Sequence, residues 1–260
     1  MFKTYLKGII DNRFILFSLV QRDLQMKYRR SKLGVAWSVL MPLGLAVIVG
    51  TVYAILFGTP PSTLIPLIFA SINPWIFMSG TADGATMAYP AAEGYIKQAT
   101  VSTVIFPFRA TMTNFVTLLY SVITFFGIYL FMAPEHFGPV MLMCIPGLMI
   151  MFFFTIGIAN LTSIINLYFR DYAPLQSLIF QGLFYATPII YDAQIMADRG
   201  YAIVFEINPF FYMLEVVRRP MLGGLPSVRY YCVALGIAAL TFAAGVALQV
   251  KERKEIVYKL

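Results

Sequence analysis

Residues 33–82 read LGVAWSVLMPLGLAVIVGTVYAILFGTPPSTLIPLIFASINPWIFMSGTA, and none of them is charged. An α-helix crosses the roughly 30 Å hydrocarbon core of a bilayer with about 20 apolar residues. This window is therefore long enough to cross, turn and cross back. The turn is Gly58-Thr59-Pro60-Pro61-Ser62, in which the prolines lack backbone donors and the glycine tolerates a left-handed conformation. Working outward, uncharged windows recur at 110–134, 137–169, 172–191 and 230–250, each able to hold one helix. Composition agrees: of 260 residues, 60% are hydrophobic and 12% charged, whereas a soluble domain is nearer half apolar and a quarter charged.

The expected fold is an all-α integral membrane protein, a single transmembrane domain over 1–260. Its six spans fall at 35–57, 64–80, 111–132, 140–166, 174–191 and 231–250. Segment 192–229 differs, because its apolar stretch is interrupted by Glu206, Asn208-Pro209 and Glu215. A short, broken stretch of this kind suits external re-entrant or interfacial helices.

Residues 1–32 place Phe2, Leu6, Ile9, Ile10, Phe17, Val20 and Leu24 on one side of a helix, with a break near Asp11-Asn12. This pattern predicts an amphipathic helix lying along the membrane interface. The segment carries Lys3, Lys7, Arg13, Arg22, Lys27, Arg29, Arg30 and Lys32. The opposite face of a six-span chain receives only Arg199, Arg218, Arg219 and Arg229. Lys and Arg resist translocation, so both termini are expected in the cytoplasm. The net charge of +7 is then a matter of topology and anionic lipid, not of nucleic acid.

The expected spans contain no Asp, Glu, Lys, Arg or His, which disfavours ion-coupled transport. No inverted repeat relates the halves, and no G-x-x-x-x-G-K-[ST] phosphate loop is present. Cys144 and Cys232 lie on different expected helices without metal or redox spacing, and His136 sits beside Glu135 in a short external loop. A membrane-embedded enzyme would have to draw on Asp192, Asp198 and Glu206, with no histidine nearby in sequence. A channel or scaffold subunit is the remaining alternative class.

Residues 22–37, RDLQMKYRRSKLGVAW, running into the first span, resemble the start of the ABC-2 type permeases. The nearest branch looks like the exporters of O-antigen, teichoic acid and related polysaccharides. Phe169-Arg170-Asp171-Tyr172 with Thr187-Pro188-Ile189-Ile190-Tyr191 is similar to the entry and exit of that family's fifth helix. Asn208-Pro209-Phe210 with Arg218 and Leu222 is similar to its external region, and 93–107, from Glu93-Gly94-Tyr95-Ile96-Lys97-Gln98 to Phe106-Pro107, to its coupling segment.

The resemblance implies a half-transporter without catalysis of its own. Two copies form a pore, and two copies of a separate ATPase, which holds ATP and Mg, bind the cytoplasmic face. The cargo it implies is a lipid-linked polysaccharide such as O-antigen, moved across the bacterial cytoplasmic (inner) membrane; teichoic acid, capsule, lipid or drug cargo stays open. The N-terminal amphipathic helix and residues 93–98 of the second-to-third loop would take up the motion of the ATPase, and the first and fifth helices of each copy would line the path.

Tyr53, Phe57, Phe180, Phe184, Tyr185 and Tyr191 on those helices offer faces on which sugar rings stack. Core filling and interfacial belts explain the same residues. Arg29, Arg30 and Lys32, with Trp37, stand where a phosphorylated headgroup would enter, and topology determinants explain the same cations. Pro188 marks either a gate hinge or a helix stop.

Overall fold

The computed structural model describes residues 1–27, 29, 31–98, 101–132, 134 and 137–260. The expected headgroup residue Arg30 and the Glu135-His136 pair lie outside the described residues. The chain is helical: α1 (Phe2–Asp11), α2 (Arg13–Lys27), α3 (Trp37–Phe57), α4 (Pro61–Thr86), α5 (Glu93–Gln98), α6 (Ile105–Met132), α7 (Cys144–Tyr168), α8 (Tyr172–Ala186), α9 (Ala193–Asp198), α10 (Ile203–Glu206), α11 (Pro209–Met221), α12 (Val228–Glu252) and α13 (Glu255–Lys259).

Five helical stretches are long and apolar enough to cross a bilayer: Trp37–Phe57, Pro61–Thr86, Ile105–Phe131, Pro139–Tyr168 and Val228–Glu252. The fifth expected span, 174–191, does not reach that length. α8 has 15 residues, roughly 22 Å at 1.5 Å per residue, and it stops where Thr187 turns extended ahead of Pro188, as the residue before a proline tends to do. Several helices also run past the uncharged windows, so that Asp83 falls in α4 and Arg109 in α6.

The hairpin between α3 and α4 turns at Gly58, whose φ of 66° is left-handed and would strain any residue with a Cβ. α4 is the most enclosed span and α3 among the least. α7 and α12 form the most extensive pair in the bundle, and two glycines make it possible. A Cβ on Gly157 would stand 2.5 Å from the Thr241 carbonyl, and one on Gly245 would stand 2.5 Å from the Gly157 oxygen. Small residues let helix backbones touch where lipid supplies no hydrophobic drive. At Gly147 a Cβ would meet the Val216 carbonyl oxygen, which presses α11 against α7.

Both chain ends gather at one end of the bundle. Leu16, Leu19 and Val20 of α2 pack in one cluster with Tyr89, Ile96, Ile105, Ile164 and Ile256 of α13. The Lys97 Nζ donates to the Leu260 carbonyl oxygen at 3.1 Å. α8 leaves this end beside Asp83, whose Oδ1 accepts from Gln176 Nε2 at 3.1 Å and Ser177 Oγ at 3.2 Å. It finishes at the other end, where Asn208 Nδ2 donates to Thr187 Oγ1 at 2.8 Å.

The N-terminal segment breaks at Asn12, where its side-chain amide donates to the Gly8 carbonyl. Its contact face differs from the expected apolar stripe. Phe2, Leu6, Ile10 and Phe17 are exposed, while Tyr5, Leu16, Leu19 and Val20 are buried. The Tyr5 hydroxyl accepts from Asn160 Nδ2 at 3.0 Å inside the bundle, so α1 is pinned by a polar contact and turns its apolar stripe outward.

Candidate functional site

α5 carries all six expected coupling residues. Ile96 is its anchor, buried in the cluster that joins α2, α13 and the ends of α6 and α7. Tyr95 and Lys97 tie the helix to distant parts of the chain: Arg22 Nη1 donates to Tyr95 Oη at 2.7 Å, with its guanidinium 5.6 Å from the ring centre. Lys97 bridges Glu93 at 2.5 Å and the C-terminal residue. The Lys97 ammonium, by hydrogen bond and then by charge, holds the Glu93 carboxyl below its usual range. Gly94 and Gln98 face outward.

Just before α5, Tyr89 is fully buried and donates to Gln249 Oε1 of α12 at 2.7 Å; burial pushes its phenol pKa up. Hydrogen bonds thus tie α5 to α2 and the turn just before it to α12. Asp23 of α2 forms a bidentate pair with Arg109 of α6 and accepts from Thr113 at 3.4 Å. Two-point geometry of this kind fixes orientation as well as charge.

Beyond α2, Arg29, Lys32 and Trp37 are all exposed. Trp37 lines a cavity of about 870 Å³ between α3, α4 and α6, with Lys27 and Ser31 also on its lining. Sequence reasoning reached Trp37 but not the polar groups opposite it, Asn73, Asn114, Thr117 and Ser121. Their signal is a polar residue every three or four positions along α6, one face of a helix.

The expected path aromatics fall into two groups, one on α3 and one on and after α8. Tyr53 and Phe57 meet on α3 with ring centres 5.4 Å apart and planes tilted by 48°. Phe180 and Phe184 instead pack on Trp75 of α4, at 6.0 and 5.8 Å, and Phe180 meets Phe210 of α11 at 5.2 Å. Phe180 is buried in the core of one copy, whereas Tyr185 is exposed, and the Tyr191 hydroxyl donates to the Tyr185 carbonyl at 3.1 Å. α3 and α8 both pack on α4 and leave apolar faces uncovered, including Met41, Ile48 and Ile55 on one and Leu175, Leu178 and Ile179 on the other.

At the end opposite the termini, sequence reasoning placed Arg218 and Arg219 in an external loop and did not give Glu215 a partner. Glu215 is fully buried and pairs with both arginines. Arg218 also donates to the Pro188 carbonyl at 2.5 Å and to Ser71 Oγ at 3.4 Å. The three elements α11, α4 and the end of α8 are thereby joined through one buried charge network. Of the carboxylates weighed for a membrane enzyme, Asp192 caps α9 by accepting from Gln194 N at 2.9 Å, Asp198 accepts from Gln194 Nε2 at 2.7 Å, and Glu206 offers its carbonyl to Tyr212 at 2.8 Å. Asp192 and Asp198 serve local structure around Gln194, and among the described residues no group of three His, Cys, Asp or Glu side chains forms.

Long apolar helices, a helical platform at one end that packs against several of them, and a lateral cavity define a multi-pass membrane protein. Residues 15–222 match the family model described as ABC-2 type transporter. Over 238 residues, 90% of each chain, this protein is 24% identical to an O-antigen export system permease protein RfbA of Klebsiella pneumoniae. It is 22% identical to a second protein of that name and organism over 90% of each chain. A third, from Myxococcus xanthus, is 26% identical over 80% of each. The chain belongs to the ABC-2 type transporter family and is a transport component.

Proposed function

We propose that the protein is the membrane subunit of a transporter that exports a lipid-linked polysaccharide of the O-antigen type across the bacterial inner membrane, driven by a separate ATPase that binds ATP and Mg. The observation that carries this reading is similarity along 90% of both chains to permeases named for O-antigen export. The end of the bundle holding both termini is cytoplasmic, and α5 is the contact with the ATPase. In support, α5 presents Gly94, Tyr95, Lys97 and Gln98 outward on a buried Ile96 anchor.

The working form is a homodimer with two ATPase copies, its pore lined by α3 and α8. The uncovered apolar faces on both helices support this. α8 with residues 187–191 makes the sixth crossing, because it runs from the terminal end to the far end of the bundle. The bilayer there is spanned by a short helix completed by chain that is enclosed in protein, an arrangement open to irregular backbone only inside the fold.

The test is purification of the tagged chain in mild detergent from its own host. An ATPase carrying phosphate loops is expected to accompany it, with hydrolysis that falls when Tyr95 and Lys97 are replaced by alanine. A deletion strain should accumulate lipid-linked glycan inside the cell. A chain that emerges alone, from a strain whose deletion leaves surface glycan unchanged, overturns the reading.

A further inference from the structure

α8 ends in a corner, Thr187-Pro188-Ile189, whose three residues are all buried. The Thr187 hydroxyl and backbone N–H both donate to the Leu183 carbonyl, at 2.7 and 2.9 Å, and Ile189 N donates to the Thr187 carbonyl at 2.7 Å. The torsions here have little room to change, since the proline ring fixes its own φ and restricts the residue before it.

Two side chains from outside α8 hold this corner. Asn208, itself buried, uses both ends of its amide: Oδ1 accepts from Phe210 N at 3.0 Å, capping α11, and Nδ2 donates to Thr187 Oγ1 at 2.8 Å. The cap fixes which way the amide points, so the start of α11 and the end of α8 are kept in register. Further along α11, Arg218 donates to the Pro188 carbonyl at 2.5 Å while Glu215 balances its charge. Bending at Pro188 would have to break both ties and leave an amide and a guanidinium short of acceptors inside the bundle, where such groups are costly.

We propose that Asn208 is a positioning residue for transport: with Arg218 it clamps the corner of α8 to α11, so that the far end of α8 and α11 keep one arrangement throughout the cycle. Pro188 is then a helix stop and not a gate hinge. The proposal deepens the transport reading and rests on it for two points, that a cycle exists and that α8 walls the pore. The clamp itself stands on contacts within one chain.

The experiment places spin labels on cysteines at Gln181 of α8 and Val228 of α12, both exposed, with Cys144 and Cys232 replaced by alanine and labelled copies diluted by unlabelled ones. Val228 reports on α11, because Tyr230 packs on Phe211 and Tyr212. Pulsed electron spin resonance reads the distance in the complete protein with its ATPase, free of nucleotide and trapped with ATP and vanadate, arrest of hydrolysis confirming the trap. One distance in both states is expected, and a change larger than the width of the distribution overturns the proposal.

Three variants then isolate the Asn208 tie. Thr187→Val keeps the branched side chain and removes the acceptor, and Asn208→Ser keeps a cap for α11 but is too short to reach Thr187. Each is expected to broaden the distribution about twofold, because a tie inside the bundle is lost, and to lower export per ATP hydrolysed. Thr187→Ser, which retains the hydroxyl, should restore both. A fall in thermal stability with width and export per ATP unchanged is what a merely structural role would give, and it overturns the positioning assignment. If the first two variants do not fold, the comparison of the two nucleotide states decides alone. The widths are read in the purified chain without ATPase, so the clamp can fail while export stands, and a missing ATPase counts against the transport reading while the widths still decide the clamp.

Discussion

At the scale of single residues, the Glu215 network is the most exacting feature of the bundle. Glu215 is 0% and Arg218 4% exposed at the side chain, and the arginine is held by three partners, Glu215, the Pro188 carbonyl and Ser71. Removing one partner leaves the other charge buried, which costs roughly 3–5 kcal/mol. Glu215→Gln is therefore expected to lower the detergent unfolding temperature sharply and to reduce folded yield. Arg219→Ala, at a side chain 44% exposed, should cost less than about 1 kcal/mol. Thermal unfolding followed by tryptophan fluorescence reads both, and equal midpoints for Glu215→Gln and wild type would remove the network from the account. None of this was legible in the sequence, where Glu215 stands as a charge interrupting an apolar run. The pairing of Asp23 with Arg109 was equally hidden, since the partners lie 86 residues apart and only the packing of α2 on α6 brings them together.

At the scale of elements, the long spans were legible because lipid imposes a simple rule, length without charge, and five windows obeyed it. The fifth expected span failed for a reason that the charge rule does not contain. Window 172–191 is uncharged, but Thr187-Pro188 ends the helix at Ala186. The outer helices were also underread: α11 carries Glu215, Arg218 and Arg219, so it looks interfacial by composition, yet nearly all of it is buried against α7 and α4. What presses these helices together is missing side chains, which no hydropathy profile records. Gly157→Val is expected to force α7 from α12 and to cost several kcal/mol, since the obstruction is backbone on both sides. Gly236→Ala on the same α12, where a Cβ meets nothing, should leave stability unchanged or raise it slightly by helix propensity. A loss of monodispersity on gel filtration for the first alone is the expected pattern, and equal behaviour of the two would mean that the α7–α12 approach is looser than described.

For the whole molecule, parity connects the short α8 to the placement of both termini. Five crossings would put the C-terminus across the membrane from the N-terminus, yet Ile256 shares one buried cluster with Leu16 and Lys97 donates to the Leu260 carbonyl. On the proposed reading these contacts go with an even number of crossings, and among the described residues α8 with the residues after it is the further stretch that runs between the two ends. In a background with Cys144 and Cys232 replaced by alanine, single cysteines at Gln98, Arg199 and Tyr258, all exposed, should separate the alternatives. With six crossings, a membrane-impermeant maleimide labels Arg199→Cys in intact cells, while Gln98→Cys and Tyr258→Cys react only after the membrane is opened. With five, Arg199→Cys is protected together with Gln98→Cys and Tyr258→Cys is labelled from outside, which would separate α5 from the C-terminal residue and dissolve the platform on which the coupling reading rests. The same labelling therefore tests the sixth crossing, the orientation drawn from Lys and Arg, and the integrity of the α5 cluster, because the Lys97 contact permits these three to hold only together.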